Sequence, residues 1–298
     1  MMQWKGVMPA LTTCFNPDLS VDHKFMAEHC RWLIDHGCTG IVALGSLGEG
    51  ATLNFQEKLA ILETCVGATG ERACVVASIS ALSTKEAEEL AKRSAELGCR
   101  GLMVLPPYVY PADWREMKTH LATVFRATRL PCMLYNNPVA YGFDFLPEHI
   151  RELTSEHENL RAVKESSTDV RRVTAIRVIA GERLEICVGV DDAIVEAIGV
   201  GATGWVAGLV NALPAESIAL FDFAINGRRD KAFDLYQWFL PLLRMDTVPK
   251  FVQLIKLVQK EVGMGNTRVR PPRLELDGDE LQTAQDIIRI AMQTRPEW

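Results

Sequence analysis

A lysine closes the apolar run Leu160-Arg161-Ala162-Val163, and the small polar turn Ser166-Ser167-Thr168-Asp169 follows it almost at once. An amine at the carboxyl end of a buried strand loses the solvation that favours its ammonium form. Its pKa then falls toward neutrality, and it can attack a carbonyl carbon to form a Schiff base. Most strand-end lysines instead reach water along a flexible stem and do no chemistry. What singles out Lys164 is a second strand ending one βα unit earlier. There Cys132-Met133-Leu134-Tyr135 runs into Asn136-Asn137-Pro138 and delivers a phenol to the same kind of position. A tyrosine and a lysine at neighbouring strand ends can share one pocket, the phenol moving protons while the amine makes the bond.

Positioning these groups is the work of an alternating pattern. Short apolar runs recur at Val7 to Thr12, Gly40 to Leu44, Cys74 to Ile79, Gly101 to Leu105, Pro131 to Tyr135, Leu160 to Lys164, Glu185 to Val188 and Gly204 to Ala207. Between them lie amphipathic segments with helix-start residues at Asp22, Asn54 and Ser83-Thr84, and with closing glycines at Gly37, Gly70 and Gly98. Strands and helices alternating at roughly 25 to 35 residues imply parallel strands with right-handed crossovers. Eight units fit a closed (β/α)8 TIM barrel better than a doubly wound sheet, the alternative fold. The alternation stops near residue 226. Arg229 to Leu243, Val248 to Val262 and Asp279 to Met292 read as helices. The expected organisation is therefore a catalytic barrel over residues 1–226 and a helical carboxyl-terminal region, 227–298, packed against it.

In such a barrel the active site lies past the carboxyl ends of the strands. After the second strand, Gly45-Ser46-Leu47-Gly48-Glu49-Gly50 could offer backbone N–H groups and the Ser46 hydroxyl to a carboxylate. A tight connection that needs glycine for its dihedrals explains the segment equally well. After the fourth strand, a proline-stiffened loop carries Tyr108 and Tyr110. After the seventh, Gly189-Val190-Asp191-Asp192 gives a bare backbone followed by acids suited to helix capping. After the eighth, Ala207-Gly208 is small enough to leave room for a ligand.

Bulk properties narrow the partners. With 298 residues and 48% hydrophobic composition the chain can bury a large core, and a net charge of -6 without basic runs argues against nucleic acid. Eight cysteines without a C-x-x-C pair read as reduced core residues, and six histidines away from strand ends give no metal site. No signal sequence or membrane span is expected, and the location expected is cytoplasmic.

Taken together, Gly45-Ser46-Leu47-Gly48-Glu49, Tyr135-Asn136-Asn137-Pro138, Lys164-Glu165-Ser166-Ser167 and Gly189-Val190-Asp191-Asp192 resemble the dihydrodipicolinate synthase and N-acetylneuraminate lyase family of Schiff-base enzymes. The likeness covers nearly the whole chain. It implies a barrel with a helical carboxyl-terminal region, a homotetramer, and a 2-oxo acid or cyclic imino acid as the small-molecule partner. It implies no cofactor beyond the covalent adduct on Lys164. By position, Lys164 resembles the Schiff-base lysine and Tyr135 the proton-shuttling phenol. Tyr108 resembles an aromatic that in several members reaches over from a neighbouring subunit. The substrate-binding set is Ser46, Leu47, Gly189, Asp191, Val206 and Ala207, with Ser46 and the amides of Ser46 and Leu47 on the carboxylate.

Two departures bear on the substrate. Family members often carry threonine where this chain has Leu47, and in the synthases that hydroxyl links two tyrosines, so the relay is expected to be broken here. The synthases also carry an arginine for aspartate semialdehyde where this chain has Ala140, removing a charge-assisted contact of about 1.5 to 3 kcal/mol. A roomier pocket is expected near Ala140 and Tyr141. The strings Lys164-Glu165-Ser166-Ser167-Thr168-Asp169-Val170-Arg171-Arg172 and Gly204-Trp205-Val206-Ala207-Gly208-Leu209-Val210-Asn211 are similar to the hydroxyproline-degrading branch. That resemblance implies deamination of 1-pyrroline-4-hydroxy-2-carboxylate to 2-oxoglutarate semialdehyde and ammonia. The alternatives are a pyruvate-releasing aldolase of 4-hydroxy-2-oxo acids, dihydrodipicolinate synthase activity, and an oxo-acid-binding sensor or scaffold barrel.

Overall fold

Strands that are apolar along their whole length must be covered on both faces, and here each is sandwiched between the barrel interior and a helix layer. A computed structural model describes residues 2–108 and 110–297, so Val109 of the tyrosine loop lies outside the described residues. Its strands are β1 (Gly6–Pro9), β2 (Gly40–Ala43), β3 (Cys74–Ile79), β4 (Gly101–Val104), β5 (Cys132–Asn136), β6 (Leu160–Glu165), β7 (Glu185–Val188) and β8 (Gly204–Ala207). From β2 to β8 each strand pairs in parallel with its sequence neighbours, β1 pairs in parallel with β8, and a single parallel bridge between Ala10 and Val42 links β1 to β2. The ring closes where β1 passes its hydrogen bonds from one neighbour to the other. Ala10 N–H donates to Ala207 O, and Leu11 N–H donates to Val42 O. That transfer ends regular pairing at Pro9, short of the Thr12 expected from the apolar run. The TIM barrel fold is thus the observed one.

The helices are α1 (His23–Asp35), α2 (Phe55–Thr69), α3 (Thr84–Glu96), α4 (Trp114–Arg126), α5 (Pro138–Tyr141), α6 (Pro147–Glu156), α7 (Arg171–Ala180), α8 (Ile194–Gly199) and α9 (Pro214–Ile225), followed by α10 (Arg229–Leu243), α11 (Phe251–Glu261) and α12 (Gly278–Gln293). The three expected caps form: Asp22, Asn54 and Ser83 accept from the amides of Phe25, Glu57 and Glu86. Gly37, Gly70 and Gly98 all take positive φ, at 99°, 55° and 92°. The helix expected from Val248 begins only at Phe251. A separate turn, Arg244–Asp246, precedes it, and Pro249 disfavours helical geometry at the residue before it.

The segment between α11 and α12 runs back over the β1 and β2 loops. Arg270 donates to the carbonyls of Leu19 and Thr52, grips both oxygens of Glu57, and lies 4.6 Å from the Phe15 ring. All eight cysteines are free, and all but Cys74 are buried. No helix among the described residues is long and apolar enough to cross a membrane.

Candidate active site

The parallel register of β5 and β6 sets Tyr135 directly opposite Lys164. Each is only 5% exposed, and Lys164 Nζ stands 4.3 Å from the centroid of the Tyr135 ring. Among the described residues no carboxylate forms a salt bridge with this amine, so it is not tied up in a structural ion pair. Gly189, at the end of β7, is where the lysine finds its space. A Cβ there would lie 2.1 Å from Lys164 Cε and 2.3 Å from Ser166 Oγ. The bare backbone at 189 is therefore filled by the lysine itself.

The next residues in β5 and β6 point to the opposite face and lock the pair in register. Asn136 Nδ2 donates to Glu165 Oε2 at 3.0 Å and to Asp144 Oδ1 at 3.2 Å, and Arg172 holds Asp144 through two nitrogens. This explains why both strands run one residue past their expected ends. Burial raises the Glu165 carboxyl above its usual range, opposed by the donors from Ser167 and Asn136.

Tyr141 is the aromatic centre of the site, and sequence reasoning treated its surroundings as open space. Its ring sits 5.6 Å from Tyr135, edge to face, and 5.5 Å from Tyr108. Its hydroxyl makes a hydrogen bond with Ser46 Oγ. Ala140 is exposed, but the Tyr141 ring occupies the neighbouring volume, which corrects the expectation of room there. A hydroxyl therefore does reach the tyrosine cluster, from Ser46 and not from position 47, where Leu47 is buried. Burial, chiefly, raises the phenols of Tyr141 and Tyr108.

The glycine turn serves both readings of its sequence. Cβ atoms at Gly48 and Gly50 would lie 2.6 Å from Leu11 O and 2.2 Å from Leu44 O, so close backbone approach demands glycine. Leu44 and Glu49, at either end, take left-handed φ of 68° and 54° despite their side chains, a strain that persists where the surroundings enforce it. Among the described residues no acceptor pairs with the amides of Ser46 or Leu47. Two N–H groups are thus free for an anion.

Asp191 neither caps a helix nor faces the pocket freely. It is fully buried and accepts from Trp205 Nε1 at 2.9 Å, Gly208 N at 3.0 Å and Leu209 N at 2.8 Å. The carboxylate ties the β7 loop to the end of β8, and the helix-capping role expected of it is not made. Burial pushes its carboxyl up to about 6, with these donors and Lys164 pulling it down. Val206 and Ala207 are buried strand residues paired with Met8 and Pro9. The space beside Gly208 is not open, because Asp246 fills it.

Glu49 and Lys256 form a buried ion pair that joins the glycine turn to α11, with Arg270 N–H donating to the other Glu49 oxygen at 3.0 Å. An acid set among glycines and leucines signals a buried charge needing a partner, but nothing local in the sequence names that partner. A separate groove at the amino-terminal end of the barrel, among Lys5, Arg129, Arg161 and Arg183, holds none of these residues. That end of a barrel carries stability rather than chemistry.

A family model described as the dihydrodipicolinate synthetase family matches residues 3–291. The chain belongs to this family. It is an enzyme of the family's lyase class. Similar proteins include the 4-hydroxy-tetrahydrodipicolinate synthase of Haloarcula marismortui, 30% identical over 288 residues and covering 96% of this chain and 94% of the relative. That of Desulforamulus reducens is 28% identical, covering 95% of each. Among solved structures, a dihydrodipicolinate synthase from Bacillus anthracis superposes with a TM-score of 0.93 at 27% identity, covering 100% of both chains. The synthase from Acinetobacter baumannii, solved with pyruvate, gives 0.92 at 25% identity, covering 97% of this chain and 99% of its own.

Proposed function

We propose that this family member is a Schiff-base lyase of 2-oxo and 2-imino carboxylates, with Lys164 as nucleophile and Tyr135 as proton carrier. Its best-fitting substrate is 1-pyrroline-4-hydroxy-2-carboxylate, deaminated to 2-oxoglutarate semialdehyde and ammonia. The observation that carries the reading is the buried, unbridged Lys164 amine 4.3 Å from the Tyr135 ring. Such an amine can bond covalently to a substrate carbon, and the adduct then serves as the electron sink without a further cofactor.

In this reading the substrate carboxylate lies on the free amides of Ser46 and Leu47. Lys164 attacks C2 of the cyclic imine and the ring opens by transimination. Loss of a C3 proton expels the C4 hydroxyl as water and leaves a conjugated iminium; a proton shift from C5 turns the amine end into an enamine, whose hydrolysis releases ammonia, and hydrolysis of the Lys164 Schiff base releases the semialdehyde. Tyr135 manages protons, with Tyr141 and Ser46 behind it. Gly189 gives the lysine space, and Asp191, Val206 and Ala207 shape the wall beyond. Ala140 supports a substrate without the second carboxylate contact of the synthase reaction, although several relatives carry the synthase name. A pyruvate-releasing aldolase is the second reading, favoured by the pyruvate complex of the Acinetobacter baumannii protein. The reading takes the enzyme as a cytoplasmic homotetramer. Leu82, after β3, and Tyr110, after β4, are exposed and would supply apolar rim to such an interface.

Incubation with the cyclic imine, with 4-hydroxy-2-oxo acids, and with pyruvate plus aspartate semialdehyde separates the possibilities. Ammonia release marks the deaminase, pyruvate release the aldolase, and condensation the synthase. Borohydride reduction should fix the substrate's mass on Lys164 and fail in Lys164→Ala. Absence of any trapped adduct on intact protein would refute the Schiff-base reading, and light scattering measures the assembly.

A further inference from the structure

One carboxyl at the barrel mouth has no part in the steps above. Asp246 ends the turn Arg244–Asp246 between α10 and α11 and lies over the end of β8. A Cβ on Gly208 would stand 1.9 Å from its Oδ1 and 2.3 Å from its Cγ. Oδ1 is shut off from water and, among the described residues, hydrogen-bonds to nothing. An unpartnered buried carboxyl oxygen is costly, and such groups are kept where they serve a reaction.

Its surroundings define what it can do. Its carboxyl feels the charges of Lys164 on β6 and of Asp191 and Asp192 in the β7 loop. Arg244, on its own turn, is 3.7 Å from Asp192 instead. Asp191 is saturated by N–H donors and gives no hydrogen back. Burial first, and the Asp191 charge next, hold the Asp246 carboxyl well above its usual range, with Lys164 opposing. A carboxyl raised in this way favours its protonated form more than an exposed aspartate does. Tyr135 stands on the β5 side of Lys164, whereas Asp246 stands on the β7–β8 side. An elimination needs one group to accept a proton from carbon and a second to protonate the leaving oxygen.

We propose that Asp246 is the catalytic acid that protonates the hydroxyl leaving the lysine-bound substrate, on the side of the adduct away from Tyr135. The assignment rests on the Schiff-base reading above. After C3 loses its proton, the adduct is an enamine. Its nitrogen lone pair re-forms the iminium, the C3–C4 double bond forms, and the C4–O bond breaks. The oxygen takes its electron pair and the Asp246 proton and departs as water, leaving Asp246 as a carboxylate that must recover a proton before the next turnover.

The test compares wild type and Asp246→Asn as full-length proteins, using pyruvate as a trapping probe without a leaving hydroxyl and 1-pyrroline-4-hydroxy-2-carboxylate as substrate. Asp246→Asn should still trap pyruvate on Lys164, showing that the fold and the nucleophile are intact. Its turnover of the cyclic imine should fall about 100-fold or more. The adduct trapped from it should be one water heavier than that from wild type. The alkaline limb of the kcat profile should disappear, and Asp246→Glu should restore part of the rate. Wild-type turnover in Asp246→Asn, or loss of pyruvate trapping in it, would overturn the assignment while leaving Lys164 in place. Wild-type protein that traps neither probe would refute the parent reading and this assignment together.

Discussion

Gly189 is a residue whose contribution is the absence of atoms. The Lys164 stem occupies the position its side chain would take, so Gly189→Ala should displace the amine without unfolding the barrel. The expected result is lost borohydride trapping with an unchanged circular dichroism spectrum; trapping at the wild-type level would contradict the packing described. Lys164→Ala should lower kcat more than about 10³-fold. Tyr135→Phe should lower it by about 10² to 10⁴-fold and still form some adduct, because in the proposed reading only the proton carrier is removed. Steady-state assays alongside mass spectrometry check both. Lys164 and Tyr135 were legible in the sequence because strand ends and residue chemistry announce themselves locally. Tyr141 and Asp246 were not, since their meaning comes from what another loop brings beside them.

At the level of elements, the β5–β6 pair and the carboxyl-terminal segment hold the site by different means. The strands are held by neighbours close in sequence, and their boundaries could be read to within a residue. The Glu49–Lys256 pair ties α11 to the glycine turn across 207 positions, a distance no periodicity reports. Removing one partner of a buried pair leaves an uncompensated charge. Lys256→Met should therefore cost about 3 to 5 kcal/mol in chemical denaturation. Lys250→Met, which breaks the exposed pair with Glu280, should cost no more than about 1 kcal/mol. Equal costs would mean that Glu49 finds another partner.

For the whole molecule, the eightfold alternation made the barrel readable, because parallel strands and covering helices impose a period that composition alone cannot hide. Its response to acid was not readable, for it depends on which histidine is enclosed. His29, on α1, is fully buried, with Nε2 2.9 Å from Asn211 O. Burial depresses its pKa from 6.5 to about 4. Below pH 6.5 the unfolded chain binds the proton that the folded imidazole refuses, so this group's contribution falls as pH drops from 6.5 to 4, by about 3 kcal/mol in all. Asp191, raised to about 6, has the opposite slope over an overlapping window. His29→Gln keeps a donor toward Asn211 and should isolate the histidine. Its stability relative to wild type, measured by urea unfolding, should improve as pH falls through that window.

The Glu49–Lys256 pair also orders events in time. A ribosome displays the glycine turn long before it has made α11, so the nascent barrel carries a carboxylate with no counter-charge at the edge of its future pocket. Completion of the reactive centre is thereby deferred until α11 has been translated, and truncated polypeptides ending before α11 should be catalytically silent.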